Sequence, residues 1–234
     1  PNSQNNELIM TNILMRMLLV LCLFSSSVFA QYGAPDGQWP TYGGDLGHTR
    51  YSALDQIDAG NFSDLEVAWR FKTDNLGPAP EYRFQATPLM VDGIIYTTAG
   101  SRRAAVALDA ETGELLWKYS MNEGERGAFA PRQLSGRGLA FWQNEDESTV
   151  IYVTPGYQMV ALNADSGLPV ETFGNNGVVD LKQNADQQID LVTGEIGLHA
   201  TPIVAKDVII VGAAHRTGGN PRSRENVKGY VRGF

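Results

Sequence analysis

An arginine between two glycines is the first candidate for a ligand contact in this sequence of 234 residues. Arg137 lies between Gly136 and Gly138. A guanidinium is planar and presents a fork of N–H donors that suits a carboxylate or the carbonyl oxygen of a flat ligand. Glycines on either side let the main chain approach such a ligand closely. The alternative is a surface arginine in an ordinary glycine turn, and the spacing alone leaves both open.

The three histidines give weaker signals for chemistry. His48 is interpreted as a residue that orders a turn, and His199, just before a short apolar run, as a hydrogen-bonded structural residue. His215 lies in a loop, where it is either a ligand contact or a solvated side chain. Glu225 is the nearest acid to it and is a weak candidate for a metal ligand.

Several kinds of site are excluded by what the sequence lacks. The single cysteine, Cys22, lies close to the N-terminus, so the rest of the chain has no zinc–thiolate site and no C-x-x-C-H haem site. No G-x-G-x-x-G opens a helix after a strand, which disfavours a nicotinamide enzyme. The acids between residues 186 and 190 have no partner motif and are interpreted as a solvated loop.

Charge and composition indicate a globular protein that does not bind nucleic acid. The chain carries 18 basic and 26 acidic residues, a formal charge of −8, and is 43% hydrophobic. An acidic chain is a poor partner for a phosphate backbone, whose binding needs clustered Lys and Arg. The hydrophobic content is enough to bury a core.

The first thirty residues are predicted to be a secretory signal peptide with some residues before it. Arg16 precedes an apolar run from Met17 to Phe24, and small residues follow up to Ala30. This order of a basic residue, a short apolar stretch and small residues is typical of a leader cleaved after export. The run is also shorter than the roughly 20 residues needed to span a bilayer. We also expect no transmembrane helix in residues 31–234.

The rest of the chain is a repeat. The sequence Ala-Thr-Pro occurs at 86–88 and at 200–202, each time followed by an apolar run, and Val-Ala-Leu-Asp/Asn-Ala occurs at 106–110 and 160–164. Residues 65–71 resemble residues 114–119, with Trp69 and Trp117 in matching places, and residues 230–234 resemble the strand before the turn. Internal similarity at this period is the mark of a repeat architecture.

Each copy is predicted to be a set of short strands joined by turns. Gly113 ends a tight turn that begins at Asp109, and Trp117 follows where a large side chain can fill the space between sheets. A four-stranded unit with a fixed aromatic residue indicates an all-β protein, a β-propeller. About three blades fit in the chain, whereas a closed propeller needs at least four. We therefore expect residues 31–234 to be the N-terminal, truncated part of a propeller domain.

The repeat resembles a known family. Residues 107–117, with the pattern Ala-Leu-Asp-Ala-x-Thr-Gly-x-Leu-Leu-Trp, resemble the tryptophan-docking repeat of the quinoprotein dehydrogenases. Residues 39–52, 85–89 and 135–139 resemble three further segments of that family, in the same order. Residues 171–181 and 227–234 look closest to its glucose and quinate (polyol) branch. The resemblance implies an eight-bladed propeller that carries pyrroloquinoline quinone (PQQ).

The resemblance also implies the contents of the site. PQQ is a planar ortho-quinone with three carboxylates, and the family binds it together with Ca²⁺ or another divalent or lanthanide ion. The resemblance makes Arg137 the first candidate for a cofactor contact. Further candidates are Gln85, Thr154, Gln133 and His215. The catalytic aspartate and most metal ligands are expected beyond residue 234, so the catalytic base and the metal ligands are unassigned here. The chain alone is expected to be inactive.

Two departures from the family pattern concern the residues that cover the cofactor in the family. The alcohol-oxidising branch has two adjacent cysteines a few residues before the arginine, where this chain has Pro131 and Arg132. The glucose branch has a histidine there, and the corresponding residue here is Gln133, which can cover the cofactor but cannot act as an imidazole.

The sequence therefore predicts an exported enzyme. The expected activity is PQQ-dependent oxidation of a sugar, a polyol or a related alcohol, with electrons passed to a quinone or cytochrome c, in the periplasm or loosely associated with the membrane. The alternative is a propeller with the same repeats and no cofactor, which acts as a scaffold in envelope assembly. The insertions at 173–197 and 215–228 and the Gly-Arg-Gly element favour the enzyme.

Overall fold

Short strands joined by tight turns make up almost all of the regular structure, as seen in a computed structural model. The structure describes residues 33–215 and 227–234. The predicted signal peptide, Cys22 and Glu225 lie outside the described residues. Within them the only α-helix is α1, Gly124–Ala128, and two short 3-10 turns lie at Pro35–Gly37 and Phe62–Asp64. None of the described helices is long and apolar enough to cross a membrane.

The strands of the described residues form three consecutive antiparallel sheets, which confirms the all-β prediction. The first sheet contains β1 Leu89–Val91, β2 Ile94–Ala99, β3 Ala104–Asp109 and β4 Leu115–Tyr119. The second contains β5 Ala140–Gln143, β6 Ser148–Val153, β7 Gln158–Asn163 and β8 Val178–Asp180. The third contains β9 Ile203–Ala205, β10 Val208–Val211 and β11 Arg232–Gly233. In each sheet the strands pair in chain order, as in the blades of a propeller.

The core lies between neighbouring sheets. Leu89 and Tyr96 of the first sheet pack with Val150 and Tyr152 of the second, and Ile151 on the other face of β6 packs toward the third. Both faces of the middle strands are therefore buried, which is why β6 and β7 are nearly continuous runs of apolar residues. Sheets that pack face to face in series are the arrangement that the repeat predicts.

Two tryptophans each fasten the segment that carries them to the sheet that follows. The indole nitrogen of Trp117 donates to the main-chain oxygen of Ala164 at 2.7 Å, and that of Trp69 donates to Ala110 at 3.0 Å. The predicted role of Trp117 between sheets is confirmed. Residues 65–71 do not form a strand like 115–119, because no strand of the described residues lies alongside to pair with them.

The segments that lead into the three sheets are hydrogen-bonded to one another. The Thr87 amide donates to the carbonyl of Arg137, and the Arg137 amide donates to the carbonyl of His199, at 3.0 and 2.9 Å. These three residues precede β1, β5 and β9, so the segments that lead into the three sheets lie side by side. Trp39 pairs through its main chain with Met90 of β1 and places residues 39–48 on the same side.

Candidate functional site

A cleft of about 620 Å³ opens where the three lead-in segments meet. Gln85, Arg137 and His199, one from each segment, line it, together with Gln133 from the segment that follows α1. This volume is in the range of small-molecule sites. The structure thus brings together three of the five residues predicted from sequence, Arg137, Gln85 and Gln133.

The main chain at Gly138 allows the segments that carry Gln85 and Arg137 to approach each other. Gly138 has a φ of +121°, and a Cβ placed there would lie 2.9 Å from the Thr87 carbonyl oxygen. Any other residue would push apart the two segments that carry Gln85 and Arg137. The glycine after the arginine is therefore required by the approach of two main chains, which is a more specific role than an ordinary turn.

The lining of the cleft is cationic although the whole chain is acidic. Arg83, Arg132 and Arg137 line it, and no aspartate or glutamate of the described residues does. Arg137 is exposed, and its Nη1 donates to the Tyr42 hydroxyl at 3.4 Å. A cleft lined by several guanidinium groups, with no carboxylate among the described residues, favours the binding of an anion.

His199, predicted to be a hydrogen-bonded structural residue rather than a ligand, is hydrogen-bonded and also lines the cleft. Its Nε2 is 3.1 Å from Oε1 of Gln85. Its Nδ1 is buried and has no hydrogen-bond partner among the described residues. The sequence carried a signal that was missed, because His199 and Gln85 each stand just before Ala-Thr-Pro and so occupy the same place in two repeats.

The charges around His199 act on its protonation. Burial lowers the pKa of His199 below its usual value, and the positive charges of Arg103, Arg132, Arg137 and Arg83 lower it further. The imidazole is therefore neutral at pH 7. A neutral ring has one donor nitrogen and one acceptor nitrogen, so it can bond both to Gln85 and to a ligand.

Gln133 is held over the cleft by its own segment. It is exposed, and its Nε2 donates to the carbonyl of Ala128 at the end of α1, at 2.9 Å. The helix is in turn tied to the second sheet, because Arg126 pairs with Asp180 at 2.5 Å. The position of Gln133 therefore depends on the anchoring of α1.

Thr154 and His215 are not among the residues that line the cleft. Thr154 is 1% exposed, donates its hydroxyl to Glu123 at 2.7 Å and accepts the Gln158 amide. His215 is exposed, and its Nδ1 is 3.0 Å from the Glu195 carbonyl oxygen. Their assignment as cofactor contacts stays a prediction, as does that of the three residues in the cleft.

No metal site is formed within residues 33–215 and 227–234. No three side chains among their histidines, aspartates and glutamates come close enough together to hold an ion. The part of the chain that the structure describes therefore supplies a candidate anion site without an assigned base or metal ligand.

Comparison with known proteins identifies one family and several relatives. The family profile of the PQQ glucose/ethanol/alcohol dehydrogenase β-propeller domain matches residues 39–234. The chain is 28% identical over 225 residues to quinate/shikimate dehydrogenase (quinone) of Acinetobacter baylyi, covering 83% of this chain and 27% of that protein. It is 29% identical over 240 residues to quinohemoprotein alcohol dehydrogenase of Comamonas testosteroni, covering 93% of this chain and 30% of that protein. Quinoprotein glucose dehydrogenase of Escherichia coli is 28% identical, with 85% and 26% covered.

Solved structures of quinohemoprotein alcohol dehydrogenases also match the chain. Quinohemoprotein alcohol dehydrogenase ADHIIG of Pseudomonas putida HK5 matches with a TM-score of 0.63 and 26% identity, over 85% of this chain and 25% of that one. The Comamonas testosteroni enzyme matches with a TM-score of 0.59 and 28% identity, over 76% and 23%. The chain spans less than a third of the length of these relatives. Identities of 28% and 29% to the quinate, glucose and alcohol enzymes do not single out a branch, so the predicted likeness to the glucose and quinate branch stays a prediction.

Proposed function

We propose a function on the premise that this chain belongs to the PQQ β-propeller family of glucose, ethanol and alcohol dehydrogenases. The chain is proposed to be part of a PQQ-dependent dehydrogenase that oxidises a sugar, a polyol or a related alcohol and passes the electrons to a quinone or cytochrome c. The apolar run from Met17 to Phe24 and the small residues after it support export to the periplasm.

The observation that carries the proposal is the cationic cleft at the meeting point of the three lead-in segments, which no aspartate or glutamate of the described residues lines. The proposed ligand has three carboxylates, and three guanidinium groups line the cleft, those of Arg83, Arg132 and Arg137. The Nδ1 of His199 has no partner among the described residues. Because Nε2–H donates to Oε1 of Gln85, the Nδ1 of the neutral ring is an acceptor for an N–H or O–H of a ligand. These features fit a flat polyanion of the size of PQQ.

The residues of this chain would bind and orient the cofactor. Arg137 would pair with a carboxylate or quinone oxygen, and Gln85 would bond to the rim without adding negative charge. His199 would contribute a neutral acceptor, and Gln133 would cover one side of the cleft. When bound, PQQ supplies the two-electron oxidation of the substrate.

The proposal also includes a metal ion and a catalytic base. Ca²⁺ or a lanthanide would act as a Lewis acid beside the cofactor, and one of the solved relatives is described as a europium-containing methanol dehydrogenase. No residue of the described part is assigned as a metal ligand or as the catalytic base.

Reconstitution of the full-length protein tests the proposal. The purified protein is stripped of metal and cofactor, PQQ and Ca²⁺ are added back singly and together, and dye reduction is followed with sugars, polyols and simple alcohols. Turnover that needs PQQ and metal supports the proposal and ranks the substrates. A protein that is folded by circular dichroism and does not bind PQQ in a titration contradicts it and favours the scaffold.

A further inference from the structure

A buried arginine joins all three sheets and contacts the segments that line the cleft. Arg103 stands in the turn before β3 and is 2% exposed. Its Nε donates to the carbonyl of Leu134 at 2.9 Å, and its Nη2 donates to that of Arg132 at 3.1 Å. Its Nη1 donates both to Val153 at 2.9 Å and to Leu198 at 2.7 Å. One side chain of the first sheet therefore holds main-chain oxygens of the second and third.

The segments that Arg103 holds are those that carry the cleft. Arg132 and Leu134 flank Gln133, and Leu198 immediately precedes His199. Gly136 lies against the guanidinium, since a Cβ there would be 3.0 Å from the Arg103 Cζ, and the next residue is Arg137. A displacement of this guanidinium would move three independent parts of the cleft wall at once.

The bonding of Arg103 is unusual for a buried cation. A charge removed from water is costly unless it is paired and hydrogen-bonded. All four of its described hydrogen bonds go to main-chain oxygens. Carbonyl oxygens satisfy the donors without neutralising the charge, and the carboxylates of Glu123 and Glu81 interact with the guanidinium without a described hydrogen bond to it.

The charge is present at neutral pH. Burial lowers the pKa of Arg103 to about 10, against the opposing effects of Glu123, Tyr152 and Glu81. The guanidinium is thus still protonated at pH 7. Its field reaches the cleft, because it is one of the charges that lower the pKa of His199.

We propose that Arg103 is a positioning residue, whose guanidinium holds the lead-in segments of the second and third sheets so that Arg137 and His199 converge on one anionic ligand. Its charge adds to the attraction of that ligand without touching it. The nature of the ligand as PQQ rests on the proposed function, whereas the positioning of the segments does not.

Two variants of the full-length protein separate positioning from general stability. Arg103→Met removes the guanidinium, and Lys182→Met is the matched control. Lys182 is 3% exposed and also caps main-chain oxygens, those of Leu191 and Val192, but it does not line the cleft. Both variants lose a buried cation, and only the first should disturb the cleft.

Hydrogen–deuterium exchange on the cofactor-free protein gives the first readout. In Arg103→Met the amides of residues 132–138 and 198–201 should exchange about tenfold faster, because their local opening becomes easier. In Lys182→Met they should exchange as in the unaltered protein. Equal exchange of these segments in the two variants would overturn the proposal.

Ligand binding gives the second readout. The dissociation constant for PQQ should rise about tenfold or more in Arg103→Met, a loss typical of removing a supporting hydrogen-bond partner, and change little in Lys182→Met. In Arg103→Ala, added guanidinium ion should restore part of the affinity. If Arg103→Met does not fold, Arg103→Lys keeps the charge without the fork and should show the same loss in weaker form. Failure of the unaltered protein to bind PQQ would contradict the proposed function, while the exchange experiment would still decide the role of Arg103.

Discussion

The Trp117 indole lies against Gly167, so closely that a Cβ on this glycine would be 2.6 Å from the ring. Trp69 has the same relationship to Gly113, at 2.5 Å. In both cases the indole nitrogen also bonds to the carbonyl three residues before the glycine. The turn glycine of each repeat is therefore half of a contact whose other half is a tryptophan 44 or 50 residues earlier, and at Gly167 this contact joins two sheets.

Replacement of the turn glycine should loosen the first sheet from the second. Gly167→Ala introduces both a clash with Trp117 and strain, because Gly167 has a φ of +69°. Gly93→Ala is the matched control, with a φ of +80° and no atom within 4 Å of the added Cβ. We expect Gly93→Ala to cost about 1 kcal/mol of stability and Gly167→Ala about 1–3 kcal/mol more. Equal shifts of the thermal midpoint in the two variants would show that the contact with Trp117 is not tight.

The repeat made most of the fold predictable. The strands that follow Ala-Thr-Pro at 86–88 and 200–202 and the turns at Gly113 and Gly167 were located by self-similarity, because a repeated unit must pack in the same way each time. The copy at 65–71 shows the limit of this argument. It keeps the tryptophan contact but forms no strand, since strand formation needs a partner that sequence similarity cannot guarantee.

Loss of Arg137 should weaken cofactor binding without unfolding the protein. Its side chain is exposed and makes one long bond, to Tyr42, so Arg137→Gln removes little folding energy. We expect the dissociation constant for PQQ to rise about 10–100-fold, which corresponds to the loss of a charge-assisted hydrogen bond. Arg70→Gln, an exposed arginine outside the cleft lining, is the control for the change in net charge. A similar loss in both variants would mean that only the overall charge matters.

The ion pair that anchors α1 should make the protein sensitive to acid. Burial raises the pKa of Asp180, but hydrogen bonds from Arg126, Lys182 and Gln183 outweigh it and leave the pKa below its usual value. A carboxylate with a depressed pKa contributes stability above its unfolded pKa of about 3.9 and loses it as the pH falls through the folded value. The stability that depends on this pair is therefore present at pH 5–7 and lost in stronger acid.

Removal of that carboxylate tests the pair. Asp180→Asn should lower the stability at pH 7 by about 1–2 kcal/mol and flatten the fall of the thermal midpoint below pH 4. Glu171→Gln removes an exposed acid from the turn between β7 and β8 and should leave both quantities unchanged. An unaltered acid profile in Asp180→Asn would show that other carboxylates govern acid unfolding.

The cleft could be predicted only in part, for physical reasons. Arg137 and Gln85 are predictable because their neighbours match a family pattern, and His199 is predictable because it occupies the same place in its repeat as Gln85. Arg103 is not predictable, since the sequence shows an arginine in an ordinary turn before a strand. Its role depends on carbonyls 29 to 95 residues away, which only the packing of three sheets brings together. Thr154 followed the family pattern, yet its hydroxyl is committed to Glu123 in the described residues.

The protonation of His199 should couple cofactor binding to pH. In the free protein burial and the four facing arginines (Arg103, Arg132, Arg137 and Arg83) lower its pKa. A bound polyanion would oppose the field of these arginines and raise the pKa of His199 again. Binding should therefore take up protons, and the affinity for PQQ should increase as the pH falls from 8 toward 5, by up to about tenfold for each unit by which the pKa rises.

Acid should have the opposite effect on the stability of the free protein. A histidine whose folded pKa is lowered loses stability for the fold as the pH drops below its unfolded value of about 6.5, because the unfolded chain binds the proton more readily. Acid should thus weaken the free protein while it strengthens the complex. Calorimetric titrations of PQQ in buffers of different ionisation enthalpy measure the proton uptake, and thermal midpoints of the free protein measure the stability. In His199→Gln the new side chain can still bond to Gln85 but cannot titrate, so the proton uptake should be abolished. Uptake that persists in this variant would show that another group titrates.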